Sequence, residues 1–185
     1  MIRKPAFLVD GHLEKKFVQR ACPNMVVRLL QCNGENVALE AIAKRVLTQC
    51  RLLSGKCQPM VVVVDREGRK QSAVDMSAEL LSLVKKDGVT DELIVAVADR
   101  NIENWILADT ETVAKMHHNI ETLWVETPDG FNGKARLKQA LRTYHETTTG
   151  VDLLLKCRPS VMRSSPSFNR FVQKIADFDC WWLEK

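Results

Sequence analysis

An α/β fold built on a mainly parallel sheet is predicted by two observations on this sequence of 185 residues. Short, fully apolar runs recur, each closing on an acidic residue, and amphipathic helical stretches separate them. Met60-Val61-Val62-Val63-Val64 is the clearest run. Its β-branched residues have no polar neighbour between them, as in a strand buried on both faces of a parallel sheet. Asp65 at its end therefore falls at the edge of the sheet. Glu67 is expected on the same side if strand geometry persists, with Gly68 allowing the turn. In open α/β sheets ligands bind beyond the carboxyl ends of the strands, so this pair of acids sits where chemistry is usually done.

The other elements follow in order. Ala6-Phe7-Leu8-Val9-Asp10-Gly11 repeats the pattern of strand, acid and glycine. Leu13 to Ala21 reads as a helix with Leu13, Phe17 and Val18 inward. Asn24 to Leu30 is a second strand, whose Arg28 points to an outer position. Asn36 to Leu53 is a long amphipathic helix, with Val37, Leu39, Ile42, Val46 and Leu47 at helical spacing. Ser54, Gly55 and Pro59 punctuate the return to the central strand. Gln71 to Lys86 is helical, Asp87-Gly88 turns, and Glu92 to Ala98 is a further apolar strand ending in Asp99. A helix over 101–108 follows. With right-handed crossovers, a strand order 2-1-3-4 brings the ends of the first and third strands together, so that Asp10, Asp65 and Glu67 converge. Leu123 to Glu126 is a candidate fifth, edge strand, and Thr127-Pro128-Asp129-Gly130 a turn. Gly133 to Glu146, Val151 to Cys157 and Pro166 to Phe178 read as helices, with Thr147-Thr148-Thr149-Gly150 as a separator. Trp181 and Trp182 are expected to pack on the domain, with an interface role left open.

Composition bounds the function classes. Hydrophobic residues at 45% and charged residues at 27% describe an ordinary globular domain. Apolar runs are too short for a membrane span, which takes about 18 residues or more, and the Arg3-Lys4 start lacks the apolar stretch of a signal peptide. A cytoplasmic location is expected. Cys22, Cys32, Cys50, Cys57, Cys157 and Cys180 show no metal-type spacing, so reduced, mostly buried thiols are expected rather than zinc or disulfides. The net charge of +4 is unevenly spread: residues 134–185 carry ten Lys/Arg against five Asp/Glu. A basic C-terminal third beside an acidic centre suits a polyanionic ligand held over a metal site; a solvated basic helical face is the plainer account.

Carboxylates at neighbouring strand ends repel one another unless a cation offsets the charge. Mg²⁺, which takes hard oxygen ligands and is commonly held by one or two carboxylates plus phosphates, is the natural candidate. Asp10 could alternatively be a turn or capping residue, Glu14 a complement to the helix dipole, and Glu67 a solvated loop charge. Asp65 has the weakest such alternative, because its strand is so apolar. Glu103, just past the fourth strand, suits a further ligand. Asp109, six residues on, reads as an internal pairing partner, with Trp105 and Leu107 in the core. His117-His118 lacks ligand spacing. There is no GxSxG, P-loop or GxGxxG sequence, so the serine hydrolase, P-loop and dinucleotide-binding readings lack their signatures.

The acid-ended strands resemble the TOPRIM domain of topoisomerases, primases and OLD-type nucleases. The closer resemblance is to small stand-alone bacterial TOPRIM-like proteins, through Val9-Asp10-Gly11-His12-Leu13-Glu14, Val64-Asp65-Arg66-Glu67-Gly68, Glu103-Asn104-Trp105-Ile106-Leu107-Ala108-Asp109 and Ser165-Pro166-Ser167-Phe168-Asn169-Arg170-Phe171. It implies a three-layer TOPRIM-like (Rossmannoid) α/β fold with a mainly parallel four- to five-stranded sheet. The core would span 1–130, and a C-terminal helical extension, 131–185, would pack on it within one compact domain. Two departures stand out: Asp10 replaces the usual Glu, and Asp65-x-Glu67 replaces the usual acid-x-Asp.

The implied activity is Mg²⁺- or Mn²⁺-dependent phosphodiester chemistry on nucleic acid. Asp65 and Glu67 would hold metal, Asp10 or Glu14 would serve as ligand or general base, and Glu103 would be accessory. The sole tyrosine, Tyr144, falls in a basic helix, which favours hydrolysis over transfer to a tyrosine. Lys134, Arg136, Lys138, Arg142, Arg158, Arg163 and Arg170 are the candidate phosphate contacts. The resemblance further implies an effector role in phage defence beside an ABC-type ATPase partner, and a homodimer is a further option. Two other readings stand beside the nuclease. One is an interaction subunit of such an ATPase, its acids altered beyond use. The other is a small-molecule phosphohydrolase using the same crevice.

Overall fold

In a computed structural model, residues 4–32, 34, 37–117 and 125–184 are described. The strands are β1 (Lys4–Val9), β2 (Val26–Leu29), β3 (Cys57–Asp65) and β4 (Leu93–Ala98). They form one parallel sheet in the order β2-β1-β3-β4, the order expected from the sequence. The connecting helices are α1 (His12–Ala21), α2 (Leu39–Leu53) and α3 (Ala73–Lys86). After β4 come α4 (Glu103–Leu107), α5 (Thr110–Met116), α6 (Gly133–Ala140), α7 (Val151–Lys156), α8 (Pro159–Met162) and α9 (Pro166–Lys174).

Strand alternation sorts the apolar runs into two cores. Phe7, Val9, Val61, Val63, Ala96 and Ala98 face α1, α4 and the C-terminal helices. Ala6, Leu8, Met60, Val62, Val64, Val95 and Val97 face α2 and α3. The result is a three-layer α/β fold, and β3 is buried on both sides as its composition requires. β2 is one of the two edge strands of the four, with Arg28 exposed. Pro59 lies inside β3 rather than before it. The register with β1 shifts between Lys4 and Ala6, opposite this point, and such an irregularity is where a strand tolerates a residue without an N–H.

The sequence-based expectations for these elements fail in several places, and the helix expected over Pro166 to Phe178 ends at Lys174. Helix α2 starts at Leu39, after an extended Ala38. The helix expected over 133–146 stops at Ala140, because Leu141 leaves helical geometry (φ −109°, ψ 97°) as its side chain is buried. The Thr-Thr-Thr-Gly stretch is no separator: Glu146–Gly150 is a π-helical turn that runs straight into α7, with Gly150 itself helical. Val125 and Glu126 form no strand, and Leu123 and Trp124 lie outside the described residues.

The cysteines hold a further surprise. Cys22, at the end of α1, is disulfide-bonded to Cys180 across a separation of 158 residues, so the expectation of reduced thiols throughout fails for this pair. Cys32, Cys50, Cys57 and Cys157 are free and buried. No helix among the described residues is long and apolar enough to cross a membrane.

The two tail tryptophans divide. Trp182 is 1% exposed and meets Phe17 and Phe168 edge-on, at centroid distances of 4.9 and 5.6 Å. Trp181 stays 40% exposed and donates its indole N–H to the Arg20 carbonyl at 2.7 Å. Because Trp182 joins α1 to α9, Trp182→Ala should cost about 3–5 kcal/mol. Urea unfolding of the two chains in parallel measures it.

Candidate functional site

Each acid at the carboxyl edge is placed by the backbone just beyond its strand. The Asp10 N–H donates to the Val63 carbonyl at 3.1 Å, extending the β1–β3 ladder by one residue. Its Oδ1 accepts the Cys32 thiol at 3.1 Å. Gly11 is extended, and its N–H donates to Glu14 Oε2 at 3.0 Å, so Glu14 folds back over the start of α1. Asp65 Oδ1 accepts the N–H of Ile102 at 3.0 Å, tying the end of β3 to the approach of α4.

Past Asp65 the strand geometry does not persist. Glu67, not Gly68, takes the left-handed conformation (φ 57°), and Arg100 does the same on the neighbouring strand exit (φ 65°). The Arg66 N–H bonds the Ala98 carbonyl at 3.0 Å, the Glu67 N–H bonds the Arg100 carbonyl at 2.7 Å, and Arg66 pairs with Asp99. A left-handed non-glycine costs about 1–2 kcal/mol; here it swings the Glu67 side chain onto the same cavity wall as Asp65.

Helix α4 adds Glu103, 2% exposed, whose Oε1 accepts the Tyr144 hydroxyl at 3.2 Å. Its neighbours clasp the next segment. Asn104 Nδ2 donates to the carbonyls of Pro128 (2.8 Å) and Phe131 (2.9 Å), while its Oδ1 accepts the Gly133 N–H at 3.0 Å. Asn101 Oδ1 accepts the Lys134 N–H at 3.1 Å. A Cβ on Gly133 would lie 2.5 Å from Asn104 Oδ1 and 2.8 Å from the Glu103 carbonyl carbon, so only glycine permits this approach. The clasp delivers Lys134 to the acids.

The result is a cavity of about 190 Å³. Asp10, Glu14, Asp65, Glu67 and Glu103 line it, together with Glu146 and Lys134. Lys134 Nζ pairs with Glu146 Oε1 at 2.8 Å. Burial opposes the charge on Lys134, but the bond to Glu146 and the facing Glu103 and Glu67 raise its pKa. The acids shift the other way in charge. Burial, and then the charges of Glu103 and Asp10, push Glu14 up to about 8. Burial, and then Glu14, Glu103, Asp10 and Glu67, raise Asp65 well above the carboxylate range. Burial likewise raises Asp10 and Glu103.

The donor set is chemically suited to a hard divalent cation. Among the described residues, however, no three His, Cys, Asp or Glu side chains are arranged as a ready-made cage. Mg²⁺ does not demand one, since it keeps several waters and takes only one or two carboxylates beside substrate phosphates. On that basis the residues fit the ion.

All five acids named from the sequence therefore meet at one cavity, while the seven basic candidates disperse. Lys134 lines the cavity, and Lys138 reaches Glu146 at 3.4 Å. Arg136 sits over the Phe131 ring, Arg142 is exposed after α6, Arg163 bonds Asn169 and Arg170 is half-buried on α9. Arg158 is committed elsewhere, to Asp109 Oδ1 at 2.6 Å and Glu111 Oε2 at 2.8 Å. Asp109, 1% exposed, is the internal partner the sequence suggested, and those bonds hold its pKa down near 2 against its burial. Tyr144 corrects the reading that set it in a basic helix: it lies in the turn after α6 and reaches the site. Tyr144, Glu146, Asn101, Cys32 and Gly133 escaped sequence reasoning, since no local pattern ties any of them to the acids.

The helical and serine-rich motifs prove to be one packing unit. The Trp105 indole donates to Ser167 Oγ at 3.0 Å and its ring lies against Phe168 and Phe171. Asp129 accepts from the hydroxyls of Ser165 (2.6 Å) and Ser167 (2.9 Å).

The pKa shifts have a consequence for stability. Folded Glu14 holds its proton to about pH 8, whereas an unfolded glutamate loses it near 4.3. Between those values the folded state binds more protons, so the stability of the metal-free protein falls as pH rises through this window. Glu14→Gln keeps an acceptor for Gly11 and removes the charge. It should stabilise the protein in EDTA by about 1–3 kcal/mol at pH 8. The gain should shrink towards pH 5, as read by urea unfolding at each pH.

No curated protein and no solved structure matches the chain. One family does, over residues 9–176, a span that runs from the end of β1 past α9 and takes in every acid of the cavity. The chain belongs to that family, described as Domain of unknown function (DUF4276).

Proposed function

We propose that this protein is a Mg²⁺- or Mn²⁺-dependent nuclease that hydrolyses phosphodiester bonds of nucleic acid, working as an effector beside an ABC-type ATPase in phage defence. The observation that carries the chemistry is the meeting of Asp10, Glu14, Asp65, Glu67 and Glu103 in one cavity at the carboxyl edge of the sheet. Like charges so placed are costly without a cation, and two of them, Glu14 and Asp65, are raised partly by the others. The ATPase partner and the defence role rest on the TOPRIM resemblance.

Asp65, Glu67 and Asp10 would hold the ion, with Glu103 accessory. A bound divalent ion would polarise the phosphoryl group and stabilise the leaving oxygen. Glu14, held by the Gly11 N–H, keeps its proton up to about pH 8 in the bare site; with a cation offsetting its acidic neighbours its pKa would fall, and the freed carboxylate would take a proton from the attacking water. Lys134 offers its ammonium to the phosphate in exchange for Glu146. Tyr144 orients Glu103 through its hydroxyl.

A second reading, a catalytically weak interaction subunit, draws on the absence of a preformed cage among the described residues. Cleavage of plasmid DNA and of RNA with Mg²⁺ or Mn²⁺, against EDTA, separates the two. The nuclease reading expects metal-dependent cutting that Asp65→Ala lowers by about a hundredfold or more. Folded protein that cuts neither substrate, alone or with its ATPase, would leave the subunit reading standing. Tyr144→Phe removes only the hydroxyl and should weaken metal-dependent activity by about tenfold. A metal titration followed by thermal shift should move to higher concentration with it.

A further inference from the structure

A second cavity lies beside the acid cavity. Thr147 lines both. The second cavity, about 290 Å³, runs between α1 and the turn that leads into α7, with Lys16, Gln19 and Arg20 on one wall and Thr147, Thr148 and Asp152 among those on the other. Helical spacing makes the first wall continuous with the acid site. His12, which lines the acid cavity, is followed at i+4, i+7 and i+8 by Lys16, Gln19 and Arg20 on the same face of α1. From His12 to Arg20 the helix rises about 12 Å, against about 3.4 Å per nucleotide along one strand of a duplex.

The charge changes sign along this path. Among the described residues that line this cavity, Lys16 and Arg20 are accompanied by one carboxylate, Asp152. The Arg20–Asp152 pair, 2.7 Å long, is more than half exposed on both sides, so it contributes little and yields to a competing anion. Lys16 Nζ rests on the Thr147 carbonyl at 3.0 Å, which is neutral. Two cations, an amide and threonine hydroxyls thus face one channel, and all of these groups can donate to phosphate oxygens. At the far end, Trp181 is 40% exposed with its indole anchored on the Arg20 carbonyl. Trp181 does not line the cavity itself but stands beside Arg20, and an aromatic exposed beside a cationic groove can stack an unpaired base.

We propose that this groove is a subsite for the sugar-phosphate backbone of a single nucleic-acid strand, running from the acid cavity along Lys16 and Arg20 to a base stacked on Trp181. The inference rests on the nuclease reading and deepens it: it names a single strand as substrate and puts the guiding contacts on α1 rather than on the basic C-terminal third.

The test is fluorescence anisotropy of the full chain with a dye-labelled single-stranded oligonucleotide and with its duplex, in Ca²⁺, at several salt concentrations. Lys16→Ala/Arg20→Ala is compared with Lys85→Ala/Lys86→Ala, an equal charge loss at the exposed end of α3 on the other face of the sheet. The groove variant should bind the single strand at least about tenfold more weakly, with a log–log salt slope shallower by about 1.4 for two lost contacts. The α3 variant should change neither. Trp181→Ala should lose about tenfold and Trp181→Phe much less. Equal losses in the two double variants would overturn the subsite and leave the nuclease standing. Duplex bound more tightly than single strand would overturn the single-strand assignment. Failure of the unaltered protein to bind any nucleic acid would overturn the nuclease reading together with the subsite.

Discussion

A strand buried on both faces cannot carry a polar side chain until it leaves the sheet. That constraint on β3 organises the molecule. Met60 to Val64 divide their side chains between two apolar cores, so Asp65 is the first position at which the chain can place a charge. β1 lies beside β3 and obeys the same rule, with Asp10 as its first acid. Because the order β2-β1-β3-β4 sends the chain to opposite sides of the sheet from these two strands, their ends open a crevice. The acids meet there because the cores exclude them everywhere earlier in the strands.

What deepens the crevice into a cavity is the chain beyond β4. Asn104 and Asn101 act as backbone substitutes: their side-chain amides satisfy carbonyls and N–H groups of 128–134 that no regular element pairs. Gly133 permits the contact by having no side chain. Gly150 does the same a layer further out, where a Cβ would fall 2.7 Å from the Tyr144 hydroxyl. Trp105, stacked between α4 and α9, fixes the base of this clasp. The residues that hold the roof are thus amides, glycines and aromatics, and the charged groups of the site are carried on them.

This division explains what could be read from the sequence. The strand order, the two-faced burial of Val61 to Val64 and the convergence of Asp10, Asp65 and Glu67 follow from apolar runs and crossover handedness, which are local patterns plus one rule of chirality. Glu103 was legible for the same reason, by its position after β4. Tyr144 was not: a periodic basic stretch hid the break at Leu141, which is set by burial of that side chain against other elements. The Thr147–Gly150 segment reads as a loop by propensity, yet packing against α1 makes it helical. The Cys22–Cys180 bond joins residues that only the folded tail brings together. Glu67 was placed correctly for the wrong reason, since a left-handed turn and not a continuing strand directs it to the cavity.

Two acids of the cavity differ in reach from the TOPRIM pattern that the sequence resembles. Asp10 is one methylene shorter than the usual glutamate, and its Oδ1 already accepts the Cys32 thiol while Arg69 and Arg45 lower the cost of its charge. Glu67 is one methylene longer than the usual aspartate and starts from a backbone turned away from the strand axis. If the proposed cation is held by both acids, a shorter arm on β1 and a longer one on β3 would draw it towards β1 and the start of α1, the helix whose exposed face carries Lys16 and Arg20.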